Sequence, residues 1–295
     1  MSEQSWFRIG HTTYPEKRSG CTAIVFNYQV PAAVDVRGGA PGTRETTLLE
    51  PGNVGLLDAI VLSGGSAFGL QASDGVMRYL AQQGRGFTTR AGNVPLVTSA
   101  IIFDLGVGEA YHPTGEDGFA AASGAAPGNL DRGAIGAGAG ATVAKLSGSS
   151  IQSGLGTGQV AIDDFTITAV VVLNAVGDVR DAESGRWLAR TVGPACRDSA
   201  INGPPTDQQP LENTTVGAIM VDGAMDRKSL ARVCISAQAG LVRCTIPAHT
   251  ILDGDTFFAT ASATGTPTVS QTLAVTAATE IAVERAIASI FRPLG

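Results

Sequence analysis

Lysine and histidine are nearly absent. Each occurs three times in 295 residues, as Lys17, Lys145 and Lys228 and as His11, His112 and His249. With so few imidazoles and no H-E-x-x-H, neither a zinc site nor a Ser-His-Asp triad has a ready set of parts, and no metal or cofactor is expected. The 20 basic residues are outnumbered by 26 acidic ones, for a net charge of −6. No basic stripe is present to follow a phosphate backbone, so nucleic acid is not an expected partner. No stretch approaches the ~18 apolar residues of a membrane span, and runs such as 169–173 and 59–62 are strand-sized, so no membrane is expected either. The four cysteines, Cys21, Cys196, Cys234 and Cys244, form no C-x-x-C pair, and the first residues lack the basic and apolar regions of a secretory signal. Reduced, core-packed thiols and a cytoplasmic location are the expectation.

Glycine is what the chain has in quantity, 38 residues, in a composition 44% hydrophobic and only 16% charged. Much backbone and little charge suit a layered α/β enzyme. Periodicity places strands at 21–28, 58–62, 97–105, 165–179, 214–221 and 255–261, and helices at 69–83, from an Asp226 cap to about 242, and at 269–291 before Pro293. Strands and helices alternate from end to end with no linker, which predicts one domain over 1–295. Two segments break the pattern. Residues 133–140 (GAIGAGAG) are so small that they must pack backbone on backbone or flex. Residues 196–213 (CRDSAINGPPTDQQPLEN) read as an exposed polar loop that ends abruptly at the apolar strand beginning Thr214-Thr215-Val216.

Standard motifs fail. None of the lysines has the glycines of a phosphate-binding loop, and 136–140 and 154–158 run G-x-G-x-G rather than G-x-G-x-x-G. Gly64-Gly65-Ser66-Ala67-Phe68 has phenylalanine where a nucleophile elbow needs its last glycine, so it reads as a turn feeding a helix. A threonine, two carboxylates, a lysine and an asparagine remain. A threonine hydroxyl is a poor nucleophile without an adjacent base, and a chain-terminal α-amine, with a pKa of ~7.7–8.0, can be that base. Cleavage between Asn213 and Thr214 would supply the amine and leave Thr214 anchored on its strand. The same junction also reads as an ordinary loop-to-strand boundary. In Asp253-Gly254-Asp255, two carboxylates can share a cleft to orient an ammonium; the string is equally a turn signal or a divalent-ion pair. Lys145, following the glycine run, would favour an alkoxide if close to Thr214, and is otherwise a surface lysine. Asn174 interrupts a buried strand, where a carboxamide needs partners and can stabilise an oxyanion.

These pieces, in this order, resemble the L-aminopeptidase/D-esterase family, which includes the β-aminopeptidases and nylon-oligomer hydrolases. The resemblance rests on AVDVRGGAPGTRET (33–46), LSGGSAFGL (62–70), NTTV (213–216) and HTILDGDT (249–256), and spans nearly the whole chain. It implies an α+β fold, a four-layer α/β/β/α sandwich, and self-cleavage into 1–213 and 214–295. It further implies that Thr214 is the nucleophile, that Asp253 and Asp255 orient its amine and hydroxyl, that Lys145 helps activate the hydroxyl, and that Asn174 donates to the oxyanion. The implied activity is hydrolysis of an amide or ester of a small, peptide-like substrate, by a homo-oligomer taken as a tetramer. Some relatives carry a tyrosine where this chain has Phe103. A related self-cleaving acetyltransferase fold, which would hand the acyl group to an amine, is the alternative, and the D-G-D and R-G-G-x-P-G-T-R-E-T strings argue against it.

Overall fold

The structure, a computed structural model, describes residues 5–146, 150–190 and 213–293. Its principal strands are β1 (Phe7–Tyr14), β2 (Ser19–Val36), β3 (Thr43–Arg44), β4 (Leu56–Ser63), β5 (Val97–Ile101), β6 (Gly154–Ile162), β7 (Phe165–Asn174), β8 (Thr214–Ala224) and β9 (Thr256–Ala263). The α-helices among the described residues are α1 (Ala72–Gln82), α2 (Gly115–Ser123), α3 (Arg227–Cys244) and α4 (Val269–Ile290). The strands pair in the order β6-β7-β8-β9-β2-β4-β5-β3, with β1 also on β2. The β8–β9 and β4–β5 pairs are parallel, and the others are antiparallel.

Strand β2 belongs to two sheets. Its first half pairs with β1 and β4, and residues 32–36 pair with β9, with a register shift between Val25 and Val30. Period-two alternation then builds the layers. On β7, Ile167, Ala169, Val171 and Leu173 pack with Leu230, Val233 and Ala237 of α3 and Val275, Ala282 and Val283 of α4. The intervening Val170 and Val172 point the other way, into a core shared with Ile24, Ile60 and Leu62. Beyond that, Ala23, Val25, Ala59 and Val61 meet Val76 and Leu80 of α1 and Ala121 of α2. Three apolar seams separate four layers, helix, sheet, sheet, helix, so the α/β/β/α sandwich is the observed architecture. No helix among the described residues is long and apolar enough to cross a membrane.

Most expected elements are present with shifted ends. The helix expected at 69–83 begins as a 3-10 turn, Ser66–Gln71, and becomes α1 at Ala72. The strand expected at 165–179 stops at Asn174, because the next backbone groups turn to other partners: the Val176 carbonyl accepts from the Lys145 N–H at 2.9 Å and the Val176 N–H donates to Asp253. Asp226 caps α3 as expected, accepting from the Ser229 N–H at 2.7 Å. The run 133–140 does pack backbone on backbone: a Cβ at Gly138 would lie 2.2 Å from the Leu155 nitrogen. Strand β6 is not among the strands expected from periodicity. Its glycines seat α4, because a Cβ at Gly156 or Gly158 would lie 2.0 Å from the Ala286 carbonyl oxygen or 2.2 Å from that of Ala282. Cys21, Cys234 and Cys244 are buried and free, as expected, and Cys196 lies outside the described residues.

The turn after β4 closes over a buried acid. Gly65 and Ser66 both have left-handed backbone (φ 82° and 53°), and the Gly65 N–H donates to Asp104 Oδ1 at 2.6 Å. Asp104 Oδ2 and the Ser19 hydroxyl both crowd Gly64, where a Cβ would lie 2.2 and 2.5 Å from them. Burial pushes the Asp104 carboxyl up to about 6, against the pull of the Gly65 N–H and the Lys145 charge. A carboxyl raised above its unfolded value stabilises the fold while protonated, and that contribution is lost as pH rises from about 4 through about 6. Asp104→Asn should therefore gain stability relative to the parent chain as pH rises from 4 to 7, by roughly 1–3 kcal/mol. Urea unfolding across that range measures it, and a pH-independent difference contradicts it. Gly156→Ala should push α4 off β6 and cost roughly 1–3 kcal/mol; an unchanged thermal midpoint would contradict that seating.

Candidate active site

The register of three strand ends gathers the site. In the antiparallel β7–β8 pair Asn174 stands opposite Thr214, and in the parallel β8–β9 pair Val216 stands opposite Thr256, the residue after Asp255. Asn213 forms a parallel bridge to Asp253. The last residue of β7, the first of β8 and the approach to β9 thus meet at one point. Asn213 and Thr214 are both buried. Residues 196–212 of the loop expected to expose this junction lie outside the described residues, and at Asn213 itself the expectation of exposure is wrong. Its Nδ2 donates to the Leu252 carbonyl at 3.4 Å and its backbone carbonyl accepts from the Gly254 N–H at 3.0 Å.

Thr214 Oγ1 donates to that same Asn213 carbonyl oxygen. The carbonyl of the peptide bond before Thr214 is therefore polarised by two donors, one of them the hydroxyl of the following residue. Gly254 can stand here only as glycine, since a Cβ would lie 2.8 Å from Thr214 Oγ1 and 2.7 Å from the Ala40 carbonyl oxygen.

Asp253 and Asp255 lie in the loop before β9 rather than on the strand expected from 255, and both are buried. Asp253 Oδ1 accepts from the Val176 N–H at 3.3 Å, and its Oδ2 accepts from the Thr250 N–H at 3.0 Å and the Thr250 hydroxyl at 2.5 Å. Asp255 Oδ1 accepts from the Thr215 N–H at 2.7 Å, and its Oδ2 meets the His249 N–H at 3.0 Å and His249 Nδ1 at 2.8 Å. Burial, and after it the charge of Asp255, pushes the Asp253 carboxyl up to about 6. The R-G-G-A-P-G string serves as the platform for this loop. Arg37 N–H donates to the Asp255 carbonyl at 2.9 Å and Ala40 N–H to that of Asp253 at 2.8 Å, and a Cβ at Gly38 would lie 2.3 Å from the Asp253 carbonyl oxygen.

Lys145 is not a free surface lysine. Its Nζ donates to Asn174 Oδ1 at 2.9 Å and to the Asn174 backbone carbonyl at 3.1 Å. Asn174 Oδ1 also accepts from the Thr142 N–H at 3.0 Å, so two donors fix which end of the carboxamide is oxygen. Its Nδ2 donates to the Phe103 carbonyl at 3.1 Å. Phe103 thus enters the site through its backbone.

All six residues singled out in the sequence, Asn213, Thr214, Asn174, Lys145, Asp253 and Asp255, fall into this one neighbourhood. Sequence reasoning missed His249, Thr250, Gly254 and Thr142, which hold the others. The first three lie inside the string 249–256, but their contacts depend on a loop conformation that periodicity does not reveal. Among the described residues, no three His, Cys, Asp or Glu side chains are grouped as a metal site requires.

Comparison with known proteins bears on the chain as a whole. Residues 7–292 match the model of peptidase family S58. An uncharacterised aminopeptidase of Mycobacterium leprae is 42% identical over 265 residues, covering 82% of this chain and 70% of that protein. A 6-aminohexanoate-oligomer endohydrolase of Kocuria sp. is 32% identical over 263 residues, covering 85% of this chain and 71% of the relative. Among solved structures, the L-aminopeptidase D-Ala-esterase/amidase of Ochrobactrum anthropi, described as a variant of the Ntn hydrolase fold, superposes with TM-score 0.75 at 19% identity, over 97% of this chain and 84% of that one. A Burkholderia sp. β-aminopeptidase superposes with TM-score 0.74 at 17% identity, over 96% and 83%. With a family model matched over almost its full length and a relative above 40% identity, the chain belongs to peptidase family S58 and is a hydrolytic enzyme.

Proposed function

We propose that the protein cleaves itself between Asn213 and Thr214 and then uses Thr214 as an N-terminal nucleophile to hydrolyse amide or ester bonds of small, peptide-like substrates. The observation that carries this reading is the hydrogen bond from Thr214 Oγ1 to the Asn213 carbonyl, with the Gly254 N–H on the same oxygen. Two donors draw electron density from the carbon that the hydroxyl would attack.

In the first act Thr214 Oγ1 attacks the Asn213 carbonyl carbon, the C–N bond breaks and its nitrogen takes a proton, leaving an ester. Water then cleaves the ester, giving the Asn213 carboxylate and a free Thr214 amine and hydroxyl. In the second act that amine, whose ordinary pKa lies at ~7.7–8.0, takes the hydroxyl proton as the oxygen attacks the substrate carbonyl, and returns it to the departing group. Water releases the acyl product. Asn174 Nδ2 is assigned as an oxyanion donor, since Thr142 and Lys145 hold its Oδ1 and so fix the carboxamide. The Lys145 charge favours the alkoxide, and Asp253 and Asp255 orient the new ammonium. No cofactor is needed. Met1–Asn213 and Thr214–Gly295 then remain together as one cytoplasmic domain.

Intact-mass measurement of the purified protein should give two polypeptides, 1–213 and 214–295; a single species of 30.0 kDa with full activity overturns the reading. Thr214→Ala should remain one chain and lose roughly 10³-fold or more in kcat, whereas Thr214→Ser should still cleave. A panel of α-peptide, β-peptide, D-amino-acid ester and ω-amino oligomer identifies the substrate. The processed protomers are further proposed to form a homo-oligomer, a tetramer, for which exposed Val269, Leu273 and Ile281 on α4 offer an apolar face. Sedimentation at about four times the protomer mass is the expected result, and a monomer excludes it.

A further inference from the structure

His249 stands in left-handed backbone, φ 56°. For a residue with a Cβ that conformation costs roughly 1–2 kcal/mol, and such strain persists only where the surroundings hold it. What holds it here is Asp255. The His249 N–H and Nδ1 both reach Asp255 Oδ2, at 3.0 and 2.8 Å, while Asp255 Oδ1 takes the Thr215 N–H at 2.7 Å. The next residue repeats the device on the other acid, because the Thr250 N–H and hydroxyl both reach Asp253 Oδ2. His249-Thr250 is thus a two-pronged clamp, giving one main-chain and one side-chain donor to each carboxylate.

The Asp255 side chain is 2% exposed and that of His249 is 21% exposed. The partly exposed imidazole thus covers a buried carboxylate that is bonded to the residue next to Thr214. We propose that His249 is a positioning residue of the Thr214 centre, acting through Asp255: its ring fixes the carboxylate rotamer that anchors the start of β8. This inference rests on the reading of Thr214 as nucleophile. Without the ring, Asp255 is held only by the His249 and Thr215 main-chain N–H groups, so the start of β8, and with it the Thr214 hydroxyl, is placed less firmly. Small displacements of that kind lower turnover more than binding.

Three variants separate the ring from the backbone. Glycine adopts φ 56° without cost but has no side-chain donor. Asparagine tolerates the left-handed region better than most residues, and its amide can replace the Nδ1–H. His249→Gly should keep its thermal midpoint yet self-cleave more slowly and lose roughly 10–100-fold in kcat with KM within about threefold, the loss of one hydrogen bond to a charged group. His249→Asn should recover most of both rates, and His249→Ala should lose rate and midpoint together. If His249→Gly matches the parent chain in cleavage and kcat, the role is only structural and the proposal fails. If His249→Asn falls as far as His249→Gly, the donor is not what matters and it fails as well. The reading beneath it is tested separately by Thr214→Ala: full turnover in that variant removes the nucleophile and with it this role for His249, whereas an inactive Thr214→Ala beside an unaffected His249→Gly removes this role alone.

Discussion

Two carboxylates one glycine apart, Asp253 and Asp255, lie almost wholly out of water. Burial of an unmet charge costs several kcal/mol, so the surrounding chain has to bring donors to them. It does so from three directions. Val176 comes from just beyond β7, Thr215 from the start of β8, and His249 and Thr250 from the loop that carries the acids. The main-chain carbonyls of the same loop are taken up by Arg37 and Ala40 beyond the end of β2. Satisfying these acids is therefore what draws three strand ends together, and Thr214 is placed by that convergence.

How much of this was readable in the sequence depends on what each residue had to reveal. Thr214, Asn174 and Lys145 stood out because each is polar or charged against an apolar or small-residue background, and each lies at the site. The layered class followed from the alternation of apolar strands and helices, and the four-layer arrangement came only with the family resemblance. The string 37–42 was recognisable as a pattern but not as a mechanism, since its role is main-chain hydrogen bonding to a loop more than 200 positions away. The scarcity of histidine argues against a triad and gives no pointer to His249. Its contact with Asp255 needs a left-handed residue in a loop, which no periodicity reports. Asp104 was hidden for the same reason, because its partner Gly65 comes from a turn distant in sequence.

The low charge and high glycine content have one explanation in the packing. Helix α4 rests on β6 where Gly156 and Gly158 offer only backbone, and the 133–140 run lies on the start of β6 in the same way. Layers that approach so closely leave little room for long charged side chains between them. Some of the polar groups that do enter bring partners, as Asp58 does with Arg85 and Gln29.

The position of β8 has a mechanical consequence. It is neither an edge strand nor a surface hairpin: it is hydrogen-bonded along its length to β7 on one side and β9 on the other, and both of its faces are covered. A chain nicked at its first residue would therefore keep its shape, since β8, α3, β9 and α4 could leave only by unzipping the middle of a sheet and lifting away a whole helical layer. Such a molecule would migrate as two pieces in denaturant and as one body in water. Its halves, once formed together, would not exchange with those of a neighbour.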